Sequence, residues 1–119
     1  MAIKRQSFQK SDRINKSSVI RSLRYHGKRL SLGNLSVSTY PNEVLNPRLA
    51  IALTTRAGNS VVRNRSRRRI REFFRKNKDK LGAYDFFFYA SRDLTPLHSH
   101  EFNLLLQRFL QWHESGIKN

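Results

Sequence analysis

The residues best suited to chemistry in this chain are arginines spaced along one face of a predicted helix. Asn64, Arg67, Arg68, Arg71 and Arg75 recur at i, i+3, i+4, i+7 and i+11, which aligns their side chains on one side. Guanidinium groups bind phosphate through paired hydrogen bonds and stack on flat bases. The pattern therefore predicts a surface that binds a polyanion.

The opposite face of the same helix is apolar. Val62, Ile70, Phe73 and Phe74 fall on one stripe at the helical period, so this face can be buried. Like charges one turn apart repel by about 0.2–0.5 kcal/mol per pair, and Glu72 is the only acidic residue in the stretch. A merely solvated basic face is the plain alternative, but the scarcity of acidic partners favours contact with nucleic acid.

The composition points the same way. The 119 residues include 24 Lys and Arg against 8 Asp and Glu, a formal net charge of +16. A domain with this imbalance repels itself unless a polyanion or an anionic membrane surface neutralises it. No apolar run approaches the ~18 residues of a membrane span, and the N-terminus lacks the apolar segment of a secretory signal. The absence of cysteine fits a reducing compartment, so we expect a cytoplasmic protein with no membrane association.

The sequence contains no recognisable catalytic set. His98 and His100 are two residues apart and lack the glutamate of a helical zinc signature. The carboxylates form no evident pair for a two-metal nuclease site, and Gly58 is not followed by the Lys-Ser/Thr of a phosphate-binding loop. We therefore predict no catalytic residue and no metal ligand. An RNA-binding protein is favoured over a nuclease that acts without an RNA subunit.

The elements that position the arginine row follow from hydrophobic periodicity. Residues 1–12 are predicted to form a flexible basic arm, residues 13–115 a single domain and residues 116–119 a tail. The predicted elements are helices over 13–25, 60–76 and 99–113, clear strands over 35–40, 48–55 and 84–91, and a shorter strand over 29–32. The order is α-β-β(-β)-α-β-α, which predicts an α/β sandwich with a small mixed sheet.

Capping residues and strand alternation refine this prediction. Ser11 or Asp12 is expected to cap the first helix, Gly27 to end it and Asn59 to cap the arginine helix. The aromatic strand over 84–91 carries rings on both faces, which favours an interior strand over an exposed base-stacking surface, with one face partly open to a cleft as the remaining alternative.

The stretch GNSVVRNRSRRRIREFFR, Gly58 to Arg75, resembles the signature of the bacterial ribonuclease P protein component, G-N-[AS]-V-x-R-N-R-x-[KR]-R-x-x-R-E. The resemblance spans roughly residues 13–112. It implies a sandwich like the second domain of a small-subunit ribosomal protein. It also implies a non-catalytic protein subunit of an endoribonuclease, binding the catalytic RNA and the 5′ leader of precursor tRNA. The RNA, with Mg²⁺ bound mainly to it, would remove the leader. No protein partner is predicted.

The resemblance also assigns roles to residues. The predicted RNA-binding set is Arg56, Asn59, Arg63, Asn64, Arg65, Arg67, Arg68, Arg71 and Arg75. The predicted leader cleft contains Ile20, Arg24, Ser38 and Tyr40, where the family usually has aromatic residues at the first three positions. Arg24 is expected to replace ring stacking by a cation–π or phosphate contact. A generic RNA-binding protein, such as a ribosomal protein, is the alternative function.

Overall fold

The computed structural model describes residues 10–118. In chain order its elements are a 3-10 turn (Lys10–Asp12), α1 (Ser17–His26), β1 (Lys28–Leu32), β2 (Leu35–Pro41), β3 (Arg48–Leu53), a 3-10 turn (Thr55–Ala57), α2 (Ser60–Lys76), α3 (Lys78–Leu81), β4 (Tyr84–Ala90) and α4 (Ser99–Lys118). This order confirms the predicted one, with the short strand present as β1 and the turn α3 added after the arginine helix.

The sheet is mixed, as predicted, with strand order β1-β2-β4-β3. β2 pairs antiparallel with both β1 and β4, whereas β3 lies parallel to β4. Phe87 of β4 is opposite Ser38 on one side and Ala50 on the other. Because β3 and β4 are parallel, the connection between them must cross the sheet, and α2 lies within that crossover.

The main core lies between the sheet and the two long helices α2 and α4. Phe86 and Phe88 project from β4 into this core, and both meet Phe109 of α4 edge to face. Phe74 of α2 meets Phe86 in the same geometry. These rings are almost fully buried, so α2 is fixed on the sheet by its apolar stripe.

α1 covers the other face of the sheet, over a smaller cluster. Leu23 packs there with Ile14, Ala50 and Phe87. Phe86 and Phe87 therefore lie on opposite faces of the sheet, as the alternation of side chains along the aromatic strand predicted. Tyr89 is only half-buried beside this cluster, so part of the α1 face of the sheet remains accessible.

Gly27 allows α1 to end directly against β2. Its N–H donates to the carbonyl oxygen of Leu23 at 2.9 Å, which ends the helix as predicted. A Cβ at this position would lie 2.5 Å from that oxygen and 2.7 Å from the carbonyl oxygen of Thr39. Any side chain would therefore push α1 off the strand.

The start of α1 corrects the sequence analysis. The helix begins at Ser17, its N-cap is Lys16, and no side chain caps it. Asp12, one of the two expected caps, is buried and ion-paired with Lys78. A pairing so distant along the chain leaves no periodic signal, whereas local capping rules pointed to Asp12.

The predicted domain limits also shift. Residues 10–12 form a turn that belongs to the fold, although they were assigned to the arm; residues 1–9 lie outside the described residues. α4 continues to Lys118, beyond the predicted end at 113, so most of the expected tail is helical. β3 ends at Leu53 rather than at residue 55, because Thr55 already begins a 3-10 turn. Within residues 10–118, no helix is long and apolar enough to cross a bilayer.

Candidate nucleic-acid interface

The loop before α2 fixes where the arginine helix begins. The side-chain oxygen of Asn59 accepts a hydrogen bond from the Val62 N–H at 2.9 Å, which confirms Asn59 as the N-cap. Gly58 has φ 142°, and a Cβ there would lie 2.7 Å from Cγ1 of Val62. Gly58 and Asn59 therefore fix the backbone at the start of α2, and the side-chain oxygen of Asn59 already accepts a hydrogen bond within the protein.

The apolar stripe of α2 is buried as predicted. Val62, Ile70, Phe73 and Phe74 are each at most 9% exposed. Ser66 lies on the same stripe, where its hydroxyl donates to the Val62 carbonyl oxygen at 2.9 Å. Because this stripe is fixed against the sheet and α4, the opposite face of α2 is held toward solvent.

The predicted arginine row does lie on that outward face. Asn64 and Arg68 are exposed, and Arg67 is half-buried. Arg67 Nη1 donates to the side-chain oxygen of Asn64 at 3.2 Å. The row thus presents guanidinium groups that a phosphate backbone can reach.

Arg75 has a carboxylate partner on α2 in an exposed ion pair. Its Nη2 lies 2.8 Å from Oε1 of Glu72, one turn earlier on α2. The hydrogen bond from Arg75 lowers the pKa of Glu72 and raises the pKa of Arg75. This pair locally reduces the positive charge at the C-terminal end of the row.

Arg71 extends the arginine face toward the start of the chain. Burial lowers the pKa of Arg71, and the nearby Arg13 and Arg67 lower it further. Arg13, Asn15 and Ile20 line a 230 Å³ groove together with Arg71. Arg13 and Asn15 were missed by the sequence analysis, since the segment before α1 has no periodic pattern and its charge was the only signal.

The arginines at the flanks of α2 differ in their surroundings, and Arg63 and Arg69 make contacts within the fold. Arg63 Nε donates to the Gly58 carbonyl oxygen at 3.1 Å, while Nε of Arg65 is buried without a hydrogen-bond partner among the described residues. Arg69, which was not predicted as a site residue, lies 5.7 Å over the ring of Phe102. Burial, with repulsion from Arg65 and Arg68, lowers the pKa of Arg69. Arg69 therefore joins α2 to α4, and the exposed Arg56 lies on the turn before α2.

The four predicted cleft residues do not line one continuous cleft. The guanidinium carbon of Arg24 lies 5.0 Å from the ring centre of Tyr89, and the half-buried Ile20 packs on the adjoining cluster. Tyr40 is 48% exposed and lines a different groove, and Ser38 is only 3% exposed. Ser38 is thus covered in this structure, where α1 packs on β2, and its role in a leader cleft stays a prediction.

Arg24 and Tyr89 form the stacking element on this side of the sheet. Arg24 is also 5.7 Å from the ring centre of Phe87. Together with Arg29 and Arg92, Arg24 and Tyr89 line a 220 Å³ groove at the end of β4. The expected cation–π contact of Arg24 is thus present, and its rings come from β4, the strand for which a face partly open to the cleft was the alternative to full burial.

Asp85 is a buried carboxylate in the lining of the groove that contains Tyr40. It accepts hydrogen bonds from Nε and Nη2 of Arg48 at 2.8 Å each, and from the Asn42 side-chain amide at 2.8 Å. A carboxylate held in this way fixes the strand ends rather than supplying a general base. Among residues 10–118, no three His, Cys, Asp or Glu side chains cluster so as to hold a metal ion.

Comparison with known proteins identifies the family. Residues 8–114 match the family model described as Ribonuclease P. The chain belongs to the ribonuclease P protein family. The ribonuclease P protein component of Syntrophus aciditrophicus is 40% identical over 81 residues, which cover 68% of each chain. That of Staphylococcus epidermidis is 31% identical over 104 residues, covering 87% of this chain and 90% of the relative.

Solved structures agree with this membership. The RNase P protein of Staphylococcus aureus superimposes with a TM-score of 0.78 at 27% identity, covering 86% of this chain and 94% of that one. The RNase P protein of Thermotoga maritima, at 22% identity and a TM-score of 0.72, shares the fold. The predicted resemblance and fold class are confirmed, and membership places the chain in tRNA 5′ processing as the protein subunit of ribonuclease P.

Proposed function

We propose that the outward arginine face of α2 binds the catalytic RNA of ribonuclease P. The observation that carries this proposal is the division of α2 into two faces. Its apolar stripe is at most 9% exposed, while Asn64, Arg67 and Arg68 lie on the solvent side. Arginine on a rigid helix suits this role, because its planar guanidinium group pairs with phosphate oxygens two at a time.

The energetics of this contact come mainly from released counterions. Each phosphate neutralised by an arginine frees condensed cations, so affinity falls as salt rises. Of the partners on α2, Glu72 pairs with Arg75 near one end of the row. The middle of the row, around Arg67 and Arg68, is therefore the strongest position for phosphate.

The 5′ leader of precursor tRNA is proposed to cross the α1 face of the sheet. Arg24 stacked on Tyr89 offers a flat cationic surface for an unpaired base, and Arg29 and Arg92 lie along the same groove. The groove of Arg13 and Arg71 connects α1 to the arginine face. In this proposal a single strand leaves the catalytic RNA and passes over the groove of Arg13 and Arg71 and the groove of Arg24 and Tyr89.

The chemistry is proposed to belong to the RNA subunit. The carboxylate fixed near the grooves, Asp85, is held by Arg48, so it has no evident role as a general base. Mg²⁺ would be held mainly by RNA phosphates. The protein's cations would replace part of the Mg²⁺ needed to hold catalytic RNA and substrate together.

Reconstitution tests this proposal. Ribonuclease P RNA is mixed with precursor tRNA at low Mg²⁺, with and without the protein, and leader removal is followed on gels. The protein should restore cleavage that the RNA alone performs only at high Mg²⁺. The double variant Arg67→Ala/Arg68→Ala should restore little, whereas Arg108→Ala, an exposed arginine on α4, should act like the wild type.

Two results would contradict the proposal. Wild-type protein that leaves the Mg²⁺ requirement unchanged would favour a generic RNA-binding role. Cleavage by protein alone, without the RNA subunit, would place the catalytic groups on this chain instead.

A further inference from the structure

A cavity of 440 Å³ lies at the edge of the sheet, under the C-terminal end of α4. It is separate from the arginine face and from the groove of Arg24 and Tyr89. Its aromatic walls come from three elements, with Tyr40 on β2, Tyr84 on β4 and Trp112 on α4. Its volume falls within the range of about 300–1,000 Å³ typical of ligand sites.

The walls suit a flat ligand. Tyr40 is 48% exposed, and Tyr84 and Trp112 are half-buried, so all three rings keep accessible surface. Tyr84 and Trp112 also pack against the main core, whereas Tyr40 belongs to neither core cluster of the described residues, so packing of the core does not account for its ring. Aromatic side chains that retain open faces are the usual platforms for unpaired bases.

The charges at the cavity select an anionic ligand. Lys28 and His26 are exposed at its rim, and none of the described residues that line it is Asp or Glu. A phosphate attached to a base in the cavity would therefore meet positive or neutral side chains. An apolar ligand without charge would gain nothing from this rim.

His113 adds a directional polar group to the wall. Its Nε2 lies 2.7 Å from the carbonyl oxygen of Leu81, which can only accept, so Nε2 carries the proton. Burial lowers the pKa of His113 despite this hydrogen bond and the nearby Glu114, which keeps the ring neutral. The neutral ring is only 4% exposed and lies 4.7 Å from the ring centre of Tyr84, so it supports Tyr84 in the cavity wall.

Tyr40 connects the cavity to a neighbouring groove beside α1. It lines both this cavity and the groove formed by Ser18, Ser22 and Asp85 beside α1. We propose that the cavity binds one unpaired nucleobase of single-stranded RNA, with Trp112 and Tyr40 stacking on the base and Lys28 pairing with its phosphate. The inference rests on the proposed function, because the bound base would belong to the RNA that this subunit is proposed to bind.

The chain provides its own probe, since Trp112 is the only tryptophan. A short single-stranded oligoribonucleotide titrated into the full-length protein should quench Trp112 fluorescence. The same oligonucleotide with its bases replaced by abasic sites should bind weakly and leave the fluorescence nearly unchanged. Equal quenching by both would overturn the inference, because the phosphates alone would then explain the signal.

Variants measured by fluorescence anisotropy of a labelled oligonucleotide give a second readout. Trp112→Ala should weaken binding about tenfold, as loss of one stacked base does, and Trp112→Phe should recover most of the affinity. Lys28→Ala should weaken binding and lower the salt slope by about one unit. Lys80→Ala removes an exposed lysine that does not line the cavity, and should do neither.

Three outcomes separate the possibilities. If Trp112→Ala lowers the melting temperature but leaves oligonucleotide affinity unchanged, the cavity serves packing and the inference fails. If nucleoside monophosphates quench Trp112 but oligonucleotides do not, the ligand is a free nucleotide and the inference also fails. If the protein stimulates ribonuclease P RNA at low Mg²⁺ while RNA never reaches Trp112, the inference fails and the proposed function stands.

Discussion

The guanidinium carbon of Arg24 lies 5.0 Å from the ring centre of Tyr89, so a cation from α1 is stacked on an aromatic side chain from β4. This contact joins the helix that covers the sheet to the strand at its centre. It also leaves an accessible flat surface, since Arg24 is exposed and Tyr89 is half-buried. A base can stack on such a pair, which then takes the place of the aromatic residue that the family pattern has at the position of Arg24.

Replacing Arg24 tests this role. Arg24→Ala should weaken binding of a single-stranded leader about two- to fivefold, because a cation–π contact contributes about 0.5–1 kcal/mol at exposed sites. Arg24→Phe should retain the affinity, since a ring replaces the guanidinium group as the stacking surface. Anisotropy of a labelled leader oligonucleotide measures both.

Arg21→Ala is the matched control, because Arg21 is also exposed on α1 but does not contact Tyr89. Equal losses for Arg21→Ala and Arg24→Ala would mean that charge alone, and not stacking, accounts for the affinity.

The Arg48–Asp85 pair should be a stability determinant. Asp85→Ala leaves Arg48 and Asn42 without their carboxylate partner. A hydrogen bond to a charged group contributes about 1.5–3 kcal/mol to the free energy of unfolding. Urea denaturation should show a loss of this order. Glu72→Ala removes an exposed ion pair on α2 and should leave the urea midpoint nearly unchanged; similar losses for both variants would show that burial of Asp85 is not the cause.

His113 should make stability depend on pH. Burial lowers its pKa in the folded protein, so the unfolded chain takes up the proton more readily. Its contribution is complete above the unfolded pKa of about 6.5 and is lost as the pH falls through the lower folded value. The melting temperature should therefore fall when the pH is lowered from 7.5 to 5.5.

His113→Gln should reduce this pH dependence, whereas His98→Gln, at an exposed position, should preserve it. A melting temperature with the same pH profile in wild type and His113→Gln would show that another group is responsible.

Much of the fold followed from periodicity, because α2 and β4 have strong and simple patterns. The apolar stripe of Val62, Ile70 and Phe74 could be identified in the sequence, and the structure buries all three. The cap at Asn59 is equally local, since the hydrogen bond to Val62 spans one turn.

The errors arose where tertiary contacts decide. The family resemblance assigned Ser38 to the leader cleft, but how deeply Ser38 is buried depends on how α1 lies across β2. Asp12 has the residue type of a helix cap, yet its ion pair with Lys78 joins distant parts of the chain. Arg13 and Tyr89 enter the candidate site only through packing, so no spacing rule could find them.

The salt dependence of binding to ribonuclease P RNA tests the central claim about α2 most directly. Association constants for wild type, Arg68→Ala, Arg65→Ala and the α4 control Arg108→Ala would be measured across a series of salt concentrations. We expect Arg68→Ala and Arg65→Ala each to weaken binding and to reduce the slope of log K against log salt by about one unit, as a lost phosphate contact does. Arg108→Ala should match the wild type. Unchanged slopes for both α2 variants, or an equal reduction for Arg108→Ala, would contradict the assignment of this face to RNA.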